Sequence, residues 1–225
     1  MRNILLLAII FMIIQPMLVQ AEEKKLVAIG DSIPYGYHLP DPEQQSFPAL
    51  ISKDKGWHLT NLSKPGITSE ELLAKLNNDP QVIHSVQEAD YIILYIGGND
   101  LLNLLKENKD LDQLDVGEVK GVITDLLDHV GRILIELNKK SDAKVLVYNL
   151  YNPYPKAGPE VDVPLRYINE QYKTLSQFYQ YVMDVQVVDA YSVFHKRPEY
   201  MMTRDVHPTI IGHRALADLG LRALP

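Results

Sequence analysis

The sequence predicts an α/β fold built on one parallel β-sheet with helices on both faces. Two observations predict it. Five segments of strand character alternate with segments of helical periodicity along the chain, the pattern of strands joined by helical crossovers. The strand-like segments are also continuously apolar, above all 90–97 (DYIILYIG), as strands buried on both faces must be. Right-handed crossovers follow as the default.

Each element has its own signal. The run 24–31 (KKLVAIGD) is apolar and closed by Gly-Asp, which makes it the first strand. A short helix is expected over 46–53 and a second strand over 57–62 (WHLTNL). Thr68 followed by Glu71 forms a capping box ahead of Leu72, Leu73 and Leu76. Pro80 opens a helix that runs to about Ala89, and the third strand follows it. Between Val119 and Leu137 apolar residues recur at helical spacing. The fourth strand is 144–150 (KVLVYNL), then a Pro- and Gly-rich loop over 151–162, a helix over 164–182, a fifth strand over 185–190 and a last helix over 209–219. No interdomain linker and no internal repeat interrupts the series, so a single domain over residues 22–225 is expected.

Composition narrows the function classes. The 225-residue chain carries a formal net charge of −7 and no basic run, the opposite of a nucleic-acid footprint. It has no cysteine, which excludes disulfides, thiolate metal sites and cysteine nucleophiles. Residues 1–21 read as a secretory signal peptide: Arg2, an apolar run over 4–14, then Val19-Gln20-Ala21 at the cleavage position. The alternative is an uncleaved anchor, for which the uninterrupted apolar run is short. No later stretch is apolar enough to span a bilayer, so the expected location is secreted or extracytoplasmic. A monomer is the default.

In a parallel sheet of this kind, ligands bind beyond the carboxyl ends of the strands. Ser32 follows the first strand in Gly30-Asp31-Ser32, as a helix cap or as a hydroxyl nucleophile beside the favourable potential of a helix start. Pro34 excludes the G-x-S-x-G elbow, and the phosphate-loop ending is absent. Gly66 follows the second strand in NLSKPGIT, as a turn residue or as a backbone N–H donor open to a ligand. Asn99 follows the third in Gly97-Gly98-Asn99-Asp100, as a helix cap or as an amide donor to an oxyanion. His207 follows the fifth in Asp205-Val206-His207-Pro208, placed to act as a general base with Asp205 orienting its ring. The other histidines are scattered and give no H-E-x-x-H spacing; His207 with His213, and Asp31 with Asp100 and Asp205, are weak metal candidates. No metal and no cofactor is expected.

Ser32, Gly66, Asn99 and His207 in this order resemble the SGNH hydrolases, also called the GDSL esterase/lipase family. The similar blocks are VAIGDSIPYGY (27–37), NLSKPGITSEEL (61–72), YIGGNDLL (95–102) and DVHPTIIGHRALAD (205–218), spread over almost all of residues 22–225. The resemblance implies a three-layer α/β/α sandwich with a flavodoxin-like five-stranded parallel sheet, and ester hydrolysis through an acyl-serine intermediate. It makes Ser32 the nucleophile, His207 the general base, and the N–H groups of Ser32 and Gly66 with the Asn99 amide the oxyanion hole. The family's acid stands three residues before the histidine, where this chain has Arg204. Asp205, two before, is the nearest acid; Asp189 or a backbone carbonyl is the alternative orienter.

The expected substrates are small esters, lysolipids or acetylated glycans. A broad esterase or lysophospholipase-like activity comes first, and a carbohydrate or cell-wall O-acetyl esterase is the alternative. Tyr35, Tyr37, Leu39, Tyr151 and Tyr154 are expected to wall the pocket. Two readings from other classes are a non-catalytic glycan-binding module on the same fold and a flavodoxin-like electron carrier.

Overall fold

A computed structural model describes residues 23–107, 115–154, 158–195 and 197–225. Segment 1–21, expected above to be a signal peptide, lies outside the described residues, as does part of the 151–162 loop.

Five strands form one parallel sheet in the order β2-β1-β3-β4-β5. They are β1 (Lys25–Gly30), β2 (His58–Asn61), β3 (Tyr91–Tyr95), β4 (Lys144–Tyr148) and β5 (Val185–Val188). All four pairings are parallel, with Ile29 opposite Leu94 and Leu94 opposite Val147 in the central register. The three central strands are buried almost throughout, whereas β2 and β5, at the two edges of the sheet, are more exposed.

The helices are α1 (Ser32–Tyr35), α2 (Pro42–Gln45), α3 (Phe47–Lys55), α4 (Ser69–Asn78), α5 (Pro80–Gln87), α6 (Gly98–Glu107), α7 (Val116–Lys140), α8 (Pro159–Tyr179), α9 (Ala190–Phe194) and α10 (Ile210–Ala223), with a 3₁₀ turn at Pro198–Tyr200. The capping box of α4 is present, with the Thr68 hydroxyl and the Glu71 carboxylate each accepting the other residue's backbone N–H. The amphipathic stripe of α7 buries Leu126, Val130, Ile133, Leu134 and Leu137.

The expected helix over 46–53 is α3, which begins after Ser46, its extended N-cap with φ of −62° and ψ of 148°; the single turn α2 ahead of it was not expected. The helix expected to open at Pro164 opens at Pro159 instead, because proline suits either position of a first turn. Pro164 then lies inside α8, where its ring removes one main-chain hydrogen bond near the helix start.

The strand order positions the site. The chain leaves β1 for the β2 edge, then returns to the other side of β1 as β3. The crevice at this reversal opens between the carboxyl ends of β1 and β3, and those two ends carry Ser32 and Asn99.

Candidate active site

Ser32 stands on the sharp turn that leaves β1. Gly30 has φ of +151°, and a Cβ there would run into the Tyr95 carbonyl of the neighbouring strand. That close approach lets Asp31 N–H donate to Tyr95 O at 3.1 Å. Asp31 caps α1 by accepting the Ile33 N–H at 2.9 Å. Burial, followed by the charge of Asp100, pushes the Asp31 carboxyl up to about 7. Because α1 is only a single turn of four residues, the helix-start potential expected at Ser32 is small.

Gly66 lies in the turn after β2, with φ of +83° and nothing within 4 Å of an added Cβ. Glycine is needed there for its backbone conformation and not for space. Hydrogen bonds hold this turn against its neighbours. Lys64 N–H donates to Gly30 O at 2.9 Å, and Asn61 Nδ2 donates to Pro34 O at 2.8 Å.

Asn99 is not the cap of the following helix; it is the second residue of α6. Its amide donates to Ile67 O at 2.9 Å, beside Gly66, and a primary amide has a second N–H to offer. Asp100 accepts the Ser69 N–H at 3.1 Å and the Ser69 hydroxyl at 2.6 Å. The turns after β1, β2 and β3 are thereby tied into one edge.

His207 reaches this edge from far along the chain. After β5 come α9, the 3₁₀ turn and a loop over 201–209. The loop is closed by an antiparallel bridge between Met201 and Pro208 and by Thr209 N–H donating to Tyr200 O at 2.8 Å. The Tyr151 hydroxyl donates to Val206 O at 2.7 Å. His207 Nε2 lies 2.9 Å from Ser32 Oγ, and Nδ1 lies 2.5 Å from Asp205 Oδ1. An ionised carboxylate only accepts, so Nδ1 carries the hydrogen and Nε2 is left to accept from the serine hydroxyl.

Arg204, with φ of +59°, turns the chain sharply just before Asp205, which brings the acid to the ring despite the short spacing. Partial burial pulls the Asp205 carboxyl upward, but hydrogen bonds from His207 and His38 outweigh it and hold it below its ordinary value. Asp189, the alternative orienter, is occupied elsewhere: it accepts from Asn149 Nδ2 at 2.9 Å and caps α9.

A cavity of about 900 Å³, counting its open mouth, adjoins Ser32 and Asn99. Its walls are mainly apolar and include Leu101, Leu105, Leu150, Tyr151 and Leu165. Of the expected wall residues, Tyr151 and Tyr154 line it, but Tyr35, Tyr37 and Leu39 do not. Leu39 is buried, and Tyr37 packs beside His207 with ring centroids 5.1 Å apart. The leucines of α6 were not expected to line the cavity. The run LLNLL directly after Gly-Gly-Asn-Asp is the signal for them, since it continues apolar from a strand's ligand-facing end.

His38, unremarked in the sequence, donates Nδ1–H to Asp205 Oδ2 at 2.7 Å. Among the described residues, His38, Asp205 and His207 are the group whose ligand atoms all lie within 4.8 Å of one another. Both imidazole Nδ1 atoms of that group already face the carboxylate. His213 does not join His207: it is fully buried on α10, its Nδ1 accepts from Phe47 N–H at 3.3 Å, and burial lowers its pKa to about 3. Asp31, Asp100 and Asp205 do not converge into such a group.

Residues 28–215 match the model of the GDSL-like lipase/acylhydrolase family. The chain belongs to this family. This GDSL hydrolase is 29% identical over 160 residues to the spore germination lipase LipC of Bacillus licheniformis, which covers 69% of this chain and 73% of that one. It superposes on the lipase Lip_vut3 from a goat rumen metagenome with a TM-score of 0.72 and 26% identity, covering 89% of this chain and 96% of that one. Acetylxylan esterase Axe2 from Geobacillus stearothermophilus shares the fold, with a TM-score of 0.63 at 21% identity over 88% of this chain and 93% of that one. Among the described residues, no helix is long and apolar enough to cross a membrane.

Proposed function

We propose that this GDSL hydrolase cleaves carboxylic esters through an acyl-serine intermediate, with a lysophospholipase-like preference for an apolar acyl chain. The observation that carries the reading is the hydrogen-bonded series Ser32 Oγ–His207 Nε2 at 2.9 Å and His207 Nδ1–Asp205 Oδ1 at 2.5 Å. Ser32 Oγ attacks the ester carbonyl as its proton passes to His207 Nε2. Asp205 keeps the ring in the tautomer that can accept this proton, and stabilises the imidazolium that forms. The tetrahedral oxyanion is held by the Ser32 and Gly66 N–H groups and the Asn99 amide, an arrangement in which one donor is worth about 2.7–4 kcal/mol of barrier. His207 returns the proton to the departing alcohol. Water activated by the same ring then releases the acid.

The apolar cavity beside Ser32 and Asn99 supports the substrate preference. An acetyl group would leave most of that wall uncovered, whereas a longer acyl chain would exchange contact with water for contact with Leu101, Leu105 and Leu165. The N-terminal sequence supports export, with cleavage after Ala21.

The test is a panel of nitrophenyl esters of rising acyl length, a lysophospholipid and an acetylated xylan. The expected result is kcat/KM rising with acyl length, and its loss by at least about 10³-fold in Ser32→Ala. Hydrolysis that survives Ser32→Ala sinks the acyl-serine route. Selective cleavage of the acetylated glycan sinks the acyl-chain preference alone.

A further inference from the structure

We propose that His38 is a positioning residue that clamps Asp205 from the side opposite His207; this rests on the serine-hydrolase reading above. The Asp205 carboxylate has two oxygens and both are engaged. Oδ1 accepts from His207 Nδ1 at 2.5 Å and from the His207 backbone N–H at 3.2 Å. Oδ2 accepts from His38 Nδ1 at 2.7 Å, across 167 positions of sequence.

The backbone points to the same carboxylate. Among the described residues, His38 and Arg204 are the non-glycine residues with positive φ, at +69° and +59°. One is the partner of Asp205 and the other its preceding neighbour. Such conformations are costly for residues with a Cβ and persist where the surroundings require them. Here the two meet at one group. The three rings also pack together, with Tyr37–His38 centroids at 4.1 Å and His38–His207 centroids at 5.1 Å.

The short D-x-H spacing gives this clamp its purpose. Asp205 sits on a loop, and its side chain is 23% exposed. Held through Oδ1 alone, by the ring it must orient and by the backbone N–H of that same residue, it would be free to pivot about that oxygen. A second donor on the far oxygen fixes the carboxylate, and the fixed carboxylate fixes the imidazole. His38 itself is 47% exposed, so as a surface ion pair it would contribute little to stability. Its contribution is geometric, and it acts through Asp205 without touching the reacting atoms.

Three substitutions separate the hydrogen bond from the backbone conformation. Asn, Asp and Gly all tolerate positive φ, but only Asn presents an N–H where histidine Nδ1 stands. In full-length enzyme acting on a nitrophenyl ester, His38→Gly and His38→Asp are expected to lower kcat about 10- to 100-fold with KM within about twofold. His38→Asn is expected to recover most of the lost kcat. In an Asp205→Ala background the His38→Gly penalty should vanish, because the residue through which it acts is gone. Equal kcat in all three variants overturns the proposal, and so does a penalty that persists undiminished without Asp205. Either result with Ser32→Ala inactive leaves the esterase reading standing; activity surviving Ser32→Ala removes both.

Discussion

The turn after β1 and the loop over 201–209 bring Ser32 and His207 together, and they are built in opposite ways. The first is local and buried. A strand, a positive-φ glycine and one helical turn set the serine, with Asp31 only 2% exposed beneath it. The second is a half-exposed excursion held by bonds to distant parts of the chain: Tyr151 to Val206 and His38 to Asp205. The two aspartates show the difference in their chemistry. Burial pushes Asp31 up to about 7, whereas donors on both oxygens keep Asp205 ionised. A carboxyl that serves the backbone can be buried and protonated, but one that serves an imidazole must stay charged.

Asp205→Asn should break this contrast most severely. An amide can donate to Nδ1 and so favours the wrong tautomer, for which a loss of about 10⁴-fold in kcat is expected. A kcat/KM unchanged from wild type would move the orienting role away from Asp205.

Asp31→Asn tests the buried member. The folded chain holds the Asp31 proton up to about pH 7, while the unfolded chain releases it near 3.8. Wild-type stability therefore loses this residue's contribution as pH rises from about 4 to 7, by at most about 4 kcal/mol. The amide keeps an acceptor for Ile33 N–H and has no proton to lose. Urea unfolding at pH 4 and pH 8 should show the variant gaining on wild type at the higher pH. A difference that does not vary with pH would refute the raised pKa.

The smallest effect is expected from Tyr151→Phe. It removes the 2.7 Å bond to Val206 O, which should cost about 1–3 kcal/mol of stability by leaving a carbonyl unpaired. Because that bond steadies the His207 loop, a several-fold fall in kcat should accompany the lower melting temperature. Unchanged kcat and melting temperature would show that the loop is held without it.

The same contrast explains what could be read without coordinates. The β1 turn was legible because KKLVAIG-Asp-Ser encodes strand, glycine and cap within a few neighbouring residues. The sheet was legible because burial on both faces leaves continuous apolar runs such as Tyr91–Tyr95. His38 was not legible, since no spacing rule links it to a residue 167 positions away. The cavity leucines were visible as apolar residues, but helical periodicity alone does not distinguish a leucine facing the core from one facing a ligand. Asn99 invited two readings, cap or donor; the start of α6 at Gly98 rules out the cap, and no local signal in Gly-Gly-Asn-Asp fixes which residue begins the helix.

The chain's reversal between β1 and β3 separates two kinds of constraint. Ser32 and Asn99 are fixed by the register of central strands, where a slip of one residue would turn every side chain over. The cavity wall is borne by α6 and α8, on helical surfaces that contribute nothing to that register. Exchanging a wall leucine for a larger or smaller neighbour therefore reshapes the space beside the serine while its turn stays where it is. A lineage carrying this architecture can change its diet without relearning its chemistry.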